Sequence, residues 1–283
     1  MTLIAAPPIP LQRSSGEAEL RFKRRGQVTV IDELYQSGCL KLRFPRPEAG
    51  AVAEAVLINT AGGLTGGDAA RCHLGWGAGT SAIVTSQAAE RIYRAVSGEA
   101  HLSAEFSVEP GAFGCWLPQE TILFDGGRLN RSNQARIAPG GRFFAVESLV
   151  FGRAAMGERV TRGSVSDSWR IHMGERLVFA DRFALEGDID AELHRPAIAA
   201  GHRALATLIY AGPDTESLLP AWRRAVDGLT GPAGCSRIGP VLVARLLGRS
   251  GDDMRRDLTA LLARLLDHFN LTPALRLPRV WHC

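Results

Sequence analysis

The sequence predicts a mainly β fold, either a β-solenoid or a large two-layer β assembly of many short strands, followed by a small C-terminal helical portion. Short apolar or alternating runs broken by glycine and proline turns extend from Val28 to about Ala211, and this pattern indicates strands. Turn-like glycine clusters recur about every thirty residues within this region. Helical periodicity is confined to the C-terminal quarter of the chain.

Eight runs are predicted as strands, because each is bounded by turn residues, which 31 glycines and 15 prolines supply. The runs are residues 28–31, 55–58, 80–85, 102–108, 121–124, 143–150, 177–179 and 204–210. The glycine clusters at residues 77–79, 110–112, 139–141 and 173–175 each precede a strand-like run and predict four coils of similar length.

Polar residues end these runs at a similar offset from each turn: Gln87, Glu90, Gln119, Glu120, Glu147 and Asp181. If the turns stack, these side chains form a polar column along one edge. Acidic residues that simply end strands at the solvent would give the same spacing, and both interpretations stay open.

Two helices are predicted after the β region. In the longer one, Asp252 or Asp253 is placed to cap the start, and Asn270 with Pro273 is placed to end it. This helix is expected by default to pack on its own β body, and packing on a partner is the open alternative. Its apolar face consists of Met254, Leu258, Leu261, Leu262, Leu265 and Phe269. The second helix is predicted over residues 216–229.

The chain is organised as a flexible N-terminal segment, residues 1–20, and one domain, residues 21–283. The β body of that domain covers about residues 21–211, and a helical portion with a further short strand covers about 215–283. The 283 residues are 46% hydrophobic and 22% charged, which is the ordinary globular range.

Composition also excludes several classes of function. No apolar run is long enough for a membrane span, and the N-terminus lacks a basic region, so a protein that is not exported is expected. The five cysteines include no C-x-x-C pair, which argues against a disulfide framework or a zinc finger and favours the cytoplasm. The net charge of +4 is spread along the chain, so nucleic acid is not an expected partner.

A glycine-rich loop follows the run 55–58, with the sequence NTAGGLTGGD from Asn59 to Asp68. A phosphate-binding loop of the Walker type needs Lys-Ser or Lys-Thr after its last glycine, but here Gly67 is followed by Asp68, which would repel an anion. The loop is therefore a tight backbone turn, and it serves either as a structural bend or as a docking or ligand loop.

Catalytic and metal motifs are absent from the sequence. Carboxylates are plentiful, but no nucleophile elbow or H-E-x-x-H pair accompanies them. No histidines fall at metal-ligand spacing, and the adjacent Cys72 and His73 would point to opposite faces of a strand. The terminal pair His282 and Cys283 is expected to fray.

Two further segments are distinctive: WLPQETILFDG, which begins at Trp116, and ESLVFGR, which begins at Glu147. Each is either a core strand with salt-bridged ends or part of a recognition surface.

Taken together, the segments from about residue 20 to 283 resemble the UreD family of urease accessory proteins, called UreH in some systems. The matching segments, in family order, are NTAGGLTGGD (59–68), TSQAAE (85–90) with Tyr93, WLPQETILFD (116–125), ESLVFGR (147–153) and PRVW (278–281). Ser86 departs from the threonine of many members.

The resemblance implies a superhelical, β-solenoid-like protein without enzymatic activity. It implies binding to the urease apoprotein subunits and, together with UreF and the GTPase UreG, support of nickel insertion into urease. A homodimer of the accessory complex and an internal channel for the metal are also implied. No stably bound cofactor is expected, only transient Ni²⁺.

A nickel relay must release its ion, and histidine and cysteine sites bind nickel strongly. Scattered carboxylates, amides and carbonyl oxygens suit passage better. Joining the family's proposed channel to the polar column gives the hypothesis that Asp68, Glu90, Glu120, Glu147 and Asp181 line the route of the ion. The alternatives are a β-rich hydrolase that uses paired carboxylates such as Glu120 and Glu147, and a ligand-binding β-solenoid.

Overall fold

Two β-sheets face each other in the computed structural model, which describes residues 12–46, 48–153, 156–269 and 271–282. The first sheet contains β1 (Ser15–Arg25), β2 (Val28–Gly38), β5 (Ala69–Trp76), β8 (Ala100–Val108), β11 (Arg128–Ile137), β13 (Gly163–Met173) and β14 (Arg176–Gly187). Its spatial order is β14-β13-β11-β8-β5-β1-β2.

The second sheet contains β3 (Leu40–Arg43), β4 (Ala53–Asn59), β6 (Ser81–Ser86), β9 (Phe113–Leu117), β12 (Arg142–Phe151), β15 (Ala204–Ala211), β16 (Ala233–Ile238) and β17 (Val241–Gly248). Its order is β16-β17-β15-β12-β9-β6-β4-β3. The short strands β7 (Glu90–Ile92) and β10 (Thr121–Leu123) pair with each other, and β10 also pairs with the end of β12. The mainly β, solenoid-like fold predicted from the sequence is confirmed.

The predicted stacking of the glycine turns is confirmed at the backbone level. The chain passes from β5 to β6, from β8 to β9 and from β11 to β12 through three of these turns, and the strands of successive coils pair in parallel. The Gly79 amide donates to the Pro110 carbonyl at 3.0 Å, and the Gly111 amide donates to the Gly140 carbonyl at 3.3 Å. Each coil therefore lies directly on its neighbour.

The prediction of a fourth coil is wrong. The turn at residues 173–175 joins β13 to β14 as an antiparallel hairpin, so the chain returns along the first sheet instead of crossing to the second. The edge of β12 where a fourth coil would pair is already occupied by the antiparallel strand β15. The β1–β2 hairpin ends the first sheet on the opposite side.

Strand β1 begins inside the segment that the sequence analysis assigns as flexible. Residues 15–20 pair with both β2 and β5, and Ala18 and Leu20 are buried, so flexibility is wrong for this part. The alternation of apolar and polar residues in EAELRF gives β1 one buried face. The prediction for residues 1–11 lies outside the described residues.

The helices are α1 (Ile189–His194), α2 (Thr215–Asp227) and α3 (Gly251–His268), and a 3-10 helix covers Arg279–His282. Both predicted helices are confirmed, but the cap of α3 is Ser250, whose hydroxyl accepts the Asp253 amide at 3.1 Å. Helix α3 packs on the second sheet of its own chain. Helix α1 was not predicted, because six residues carry too little periodicity. Asn270 lies outside the described residues.

Apolar side chains form two clusters, one on each side of the second sheet. The cluster between the sheets includes Trp76, Phe106 and Phe143, and the cluster under α2 and α3 includes Phe144 and Trp222. Strand β12 contributes alternate residues to both clusters, which explains its nearly continuous buried run. Within the described part of the chain, no helix combines the length and apolar character needed to cross a bilayer.

Candidate functional site

A cavity of about 220 Å³ opens within the otherwise apolar layer between the two sheets. Four distinctive segments of the sequence contribute to its wall. Its lining includes Asn59, Gly62 and Gly63 from the glycine-rich loop, Ser86, Gln87 and Glu90 from the second segment, Trp116, Gln119 and Thr121 from the third, and Glu147 from the fourth. Segments that are far apart in the chain therefore meet at one site because successive coils stack.

The glycine-rich loop is shaped by Asn59 and closely packed glycines. The Asn59 side-chain oxygen accepts the Ala61 amide at 2.9 Å, which fixes the turn. Gly63 has a φ of 140°, and a methyl group there would lie 2.4 Å from the Tyr93 ring, so only glycine fits. The loop is thus a tight bend that also forms part of the cavity wall.

Asp68 ties this loop to the start of β1. One carboxylate oxygen accepts the Ser14 amide at 2.7 Å, and the other accepts the Thr65 amide at 2.8 Å. Asp68 is buried but does not line the cavity. Its observed contacts are those of a residue that holds the loop in place.

Glu90 lies at the beginning of β7 and lines the cavity. The Asn59 amide group donates to both carboxylate oxygens, at 3.1 and 3.0 Å. Burial raises the pKa of the Glu90 carboxyl above its ordinary value, and the hydrogen bond from Asn59 opposes that shift. The backbone amide of Glu90 donates to the Glu120 carbonyl at 2.9 Å, so Glu90 and Glu120 occupy neighbouring coils.

Glu147 projects from β12 into the cavity and is only 4% exposed. Its Oε1 accepts the indole N–H of Trp116 at 2.9 Å, and its Oε2 lies 2.5 Å from Nη1 of Arg131. Burial raises the pKa of the Glu147 carboxyl; the Arg131 charge lowers it, and the nearby Asp167 charge raises it further.

Arg131, on β11, is the cation of this buried cluster. Its Nε and Nη2 contact the two oxygens of Asp167 at 3.0 and 2.6 Å, and its Nη1 donates to the Thr121 hydroxyl at 3.0 Å. Arg131 and Asp167 are register partners on the parallel strands β11 and β13. One guanidinium thus serves two carboxylates, and with all three groups ionised the cluster carries one net negative charge.

The last two predicted site residues have partners elsewhere. Glu120 accepts from Arg255 of α3 at 3.2 Å and does not line the cavity. Asp181, on β14, accepts from Arg245 at 2.6 Å and is the register partner of Trp169. Among the five predicted carboxylates, the cavity therefore brings together Glu90 and Glu147.

Comparison with known proteins identifies the family. A family model described as the UreD urease accessory protein matches residues 14–282. The chain belongs to the UreD family. It is 43% identical over 278 residues to a urease accessory protein UreD of Agrobacterium fabrum, a match that covers 98% of this chain and 94% of that protein. A relative from Methylobacterium, also named urease accessory protein UreD, is 44% identical over 280 residues, with 95% of each chain covered.

Several cavity residues of this UreD chain were missed by the sequence analysis, which did not predict β11. Arg131 and Asn133 line the cavity, and Asp167 lies behind Arg131. The signal was present: in the sequence RLNRSNQARI, Leu129, Ala135 and Ile137 mark the buried face on which positions 131 and 133 also fall. The two polar residues on that face obscured its apolar alternation.

Cys72 also lines the cavity of this UreD protein. The prediction that Cys72 and His73 point to opposite faces of a strand is confirmed. Cys72 is buried at the cavity, whereas the partly exposed His73 has its Nδ1 3.6 Å from Oε2 of Glu105 on the outer face of the sheet. Burial raises the pKa of the Cys72 thiol to about 12, which keeps it neutral at ordinary pH. Within the described ranges, no three His, Cys, Asp or Glu side chains form a cluster that could hold a metal ion.

Proposed function

We propose that this protein is a non-catalytic adaptor of urease maturation that acts in the cytoplasm. With UreF and the GTPase UreG it binds the urease apoprotein, in an accessory complex that contains two copies of the chain, and supports nickel insertion. Membership of the UreD family supports the link to urease. The observation that carries the proposal is the convergence of the four distinctive segments on one interior cavity.

The cavity is suited to the transient passage of Ni²⁺ rather than to its storage. Its polar lining offers carboxylate and amide oxygens from Asn59, Glu90, Gln119 and Glu147, whereas its one thiol is neutral. Such oxygen ligands bind nickel less strongly than imidazole or thiolate groups do. Glu90 and Glu147 are therefore the first residues to test, while Asp68, Glu120 and Asp181 extend the proposed route beyond the cavity.

The test uses the double substitution Glu90→Gln and Glu147→Gln in cells that also express urease and its accessory proteins. The nickel content of purified urease should fall several-fold, while pull-down of UreF, UreG and urease subunits stays unchanged. Glu175→Gln, at the exposed β13–β14 turn, is the matched control and should leave nickel loading unchanged. If urease from cells with the double variant contains the normal amount of nickel, passage of Ni²⁺ through the cavity is rejected. If urease is fully metallated in cells that lack the protein, the adaptor role is rejected.

The two alternative functions have less support. Glu120 and Glu147, the carboxylates of the proposed hydrolase, have different arginine partners, and only Glu147 lines the cavity. A ligand-binding module would show a rise in melting temperature with a small molecule in the absence of any partner.

A further inference from the structure

The contacts of Arg131 with its two carboxylate partners differ. Two of its nitrogens bind the two oxygens of Asp167, whereas Nη1 alone contacts Glu147. Arg131 and Glu147 line the cavity, but Asp167 does not. Asp167 is thus the anchor behind the guanidinium, and Glu147 is the carboxylate that an ion inside the cavity would meet.

Each oxygen of Glu147 already has one partner. Oε1 accepts the Trp116 N–H, and Oε2 contacts the guanidinium at 2.5 Å. A cation that approaches Glu147 therefore meets the positive charge of a guanidinium that bidentate bonds to Asp167 hold in place. This repulsion weakens any binding of the ion to Glu147.

The groups around the guanidinium would otherwise suit a divalent cation. Arg131 contacts the two carboxylates and the Thr121 hydroxyl, and the Asn133 side chain lies 3.5 Å from Asp167. The two carboxylates and the hydroxyl supply several oxygen atoms and two negative charges, a donor set that binds divalent cations. In this arrangement the guanidinium occupies the place of the metal.

We propose that Arg131 is a built-in competitor for a divalent cation, so that Glu147 and Asp167 form a latent cation site that the guanidinium keeps from retaining the ion. A passing cation binds Glu147 tightly only while it displaces Nη1 of Arg131, and the return of Nη1 releases the ion. The role of Arg131 in releasing a passing ion rests on the proposed function in nickel delivery, whereas the existence of the latent cation site does not.

The experiment measures Ni²⁺ binding to the purified full-length chain by equilibrium dialysis near neutral pH. Arg131→Leu should bind about one equivalent of Ni²⁺ at least tenfold more tightly than the natural protein. Arg131→Lys, which retains the charge, should bind less Ni²⁺ than Arg131→Leu. Adding Glu147→Gln and Asp167→Asn to Arg131→Leu should abolish the gain. Equal binding by Arg131→Leu and the natural protein, or a gain that survives in the triple variant, would overturn the proposal.

A second measurement covers the case in which Arg131→Leu is unstable, since it leaves two buried carboxylates without a counterion. Its melting temperature is then measured with and without Ni²⁺, and the metal should raise it by several degrees more than it raises that of the triple variant. An equal response of the two variants would contradict the latent site. Both measurements use the purified chain without urease. If the nickel-delivery function fails in cells, these measurements still test the latent cation site independently.

Discussion

At the scale of single residues, the buried charges of the cavity are the feature with the largest energetic consequences. Glu147, Arg131 and Asp167 carry one net negative charge when all are ionised, in a place where ionised groups are poorly solvated. The cluster is held by the Trp116 indole and the Thr121 hydroxyl as well as by ion pairs. Protonation of Glu147 would remove the excess charge.

This leads to a prediction for the pH dependence of stability. The pKa of Glu147 is raised to about 7 in the folded state from an ordinary value of 4.5. The Glu147 carboxyl therefore binds a proton more tightly in the folded protein than in the unfolded chain. Protonation of Glu147 stabilises the fold fully below pH 4.5, and this stabilisation is lost as the pH rises to about 7. We expect the free energy of unfolding of the natural protein, relative to Glu147→Gln, to fall by about 1 kcal/mol or more across this range.

Chemical denaturation at a series of pH values measures the difference. At each pH, the free energy of unfolding of Glu147→Gln is subtracted from that of the natural protein. The subtraction cancels the contributions of other groups that titrate alike in both proteins. A difference that stays constant from pH 4.5 to 7.5 would contradict the raised pKa.

At the scale of elements, α3 connects the helical portion to the cavity wall. Its buried leucines pack on the second sheet, and Arg255 on the same helix binds the side chains of Gln119 and Glu120. Arg255 also donates to the carbonyls of Val280 and Trp281 and lies over the Trp281 ring. The helix thus holds the C-terminal segment against the third distinctive segment of the sequence.

The cap of α3 gives a prediction at this scale. Ser250→Ala removes the hydroxyl that accepts the Asp253 amide and should lower the free energy of unfolding by about 1 kcal/mol. Asp252→Ala is the matched control, because this exposed first-turn residue contributes only through the helix dipole and should cost about 0.5 kcal/mol. Thermal or chemical denaturation compares them. An effect of Asp252→Ala larger than that of Ser250→Ala would favour the cap that the sequence analysis predicted.

At the scale of the whole molecule, an aromatic cluster joins the two sheets beside the cavity. Phe106 of β8 has its ring centroid 5.0 Å from that of Phe143, 5.6 Å from Trp116, 5.8 Å from Trp169 and 6.5 Å from Trp76. These residues belong to four other strands from both sheets. The apolar layer therefore spans several coils at once.

Loss of this contact centre should destabilise the protein as a whole. Phe106→Ala is expected to lower the free energy of unfolding by about 3–5 kcal/mol, because it removes a buried ring that contacts four other aromatic side chains. Phe183→Ala is the control, since Phe183 is only partly buried and its ring centroid lies 6.3 Å from that of Phe151. Denaturant unfolding followed by intrinsic fluorescence distinguishes the two. If both variants lose a similar amount of unfolding free energy, the aromatic cluster does not contribute more to stability than an ordinary partly buried ring.

The stacked, repeating coils of this protein are encoded in local patterns of its sequence. Period-two alternation, glycine turns about thirty residues apart and the apolar stripe of α3 were sufficient to predict stacked coils and a C-terminal helix. These signals are local, because side-chain direction follows directly from backbone geometry. The motifs were also recognisable in the sequence, and they supplied most of the cavity wall.

Which polar residues share a site depends on tertiary packing and could not be predicted from these local patterns. The offset from the turns put Glu90, Glu120 and Glu147 in one column, but α3 supplies Arg255 to Glu120, while β11 supplies Arg131 to Glu147. The hairpin that replaces the fourth coil likewise depends on β15 occupying the edge of β12. Such outcomes depend on residues distant in the chain, because the ionic partner of a side chain and the free edge of a sheet are set by packing rather than by local sequence.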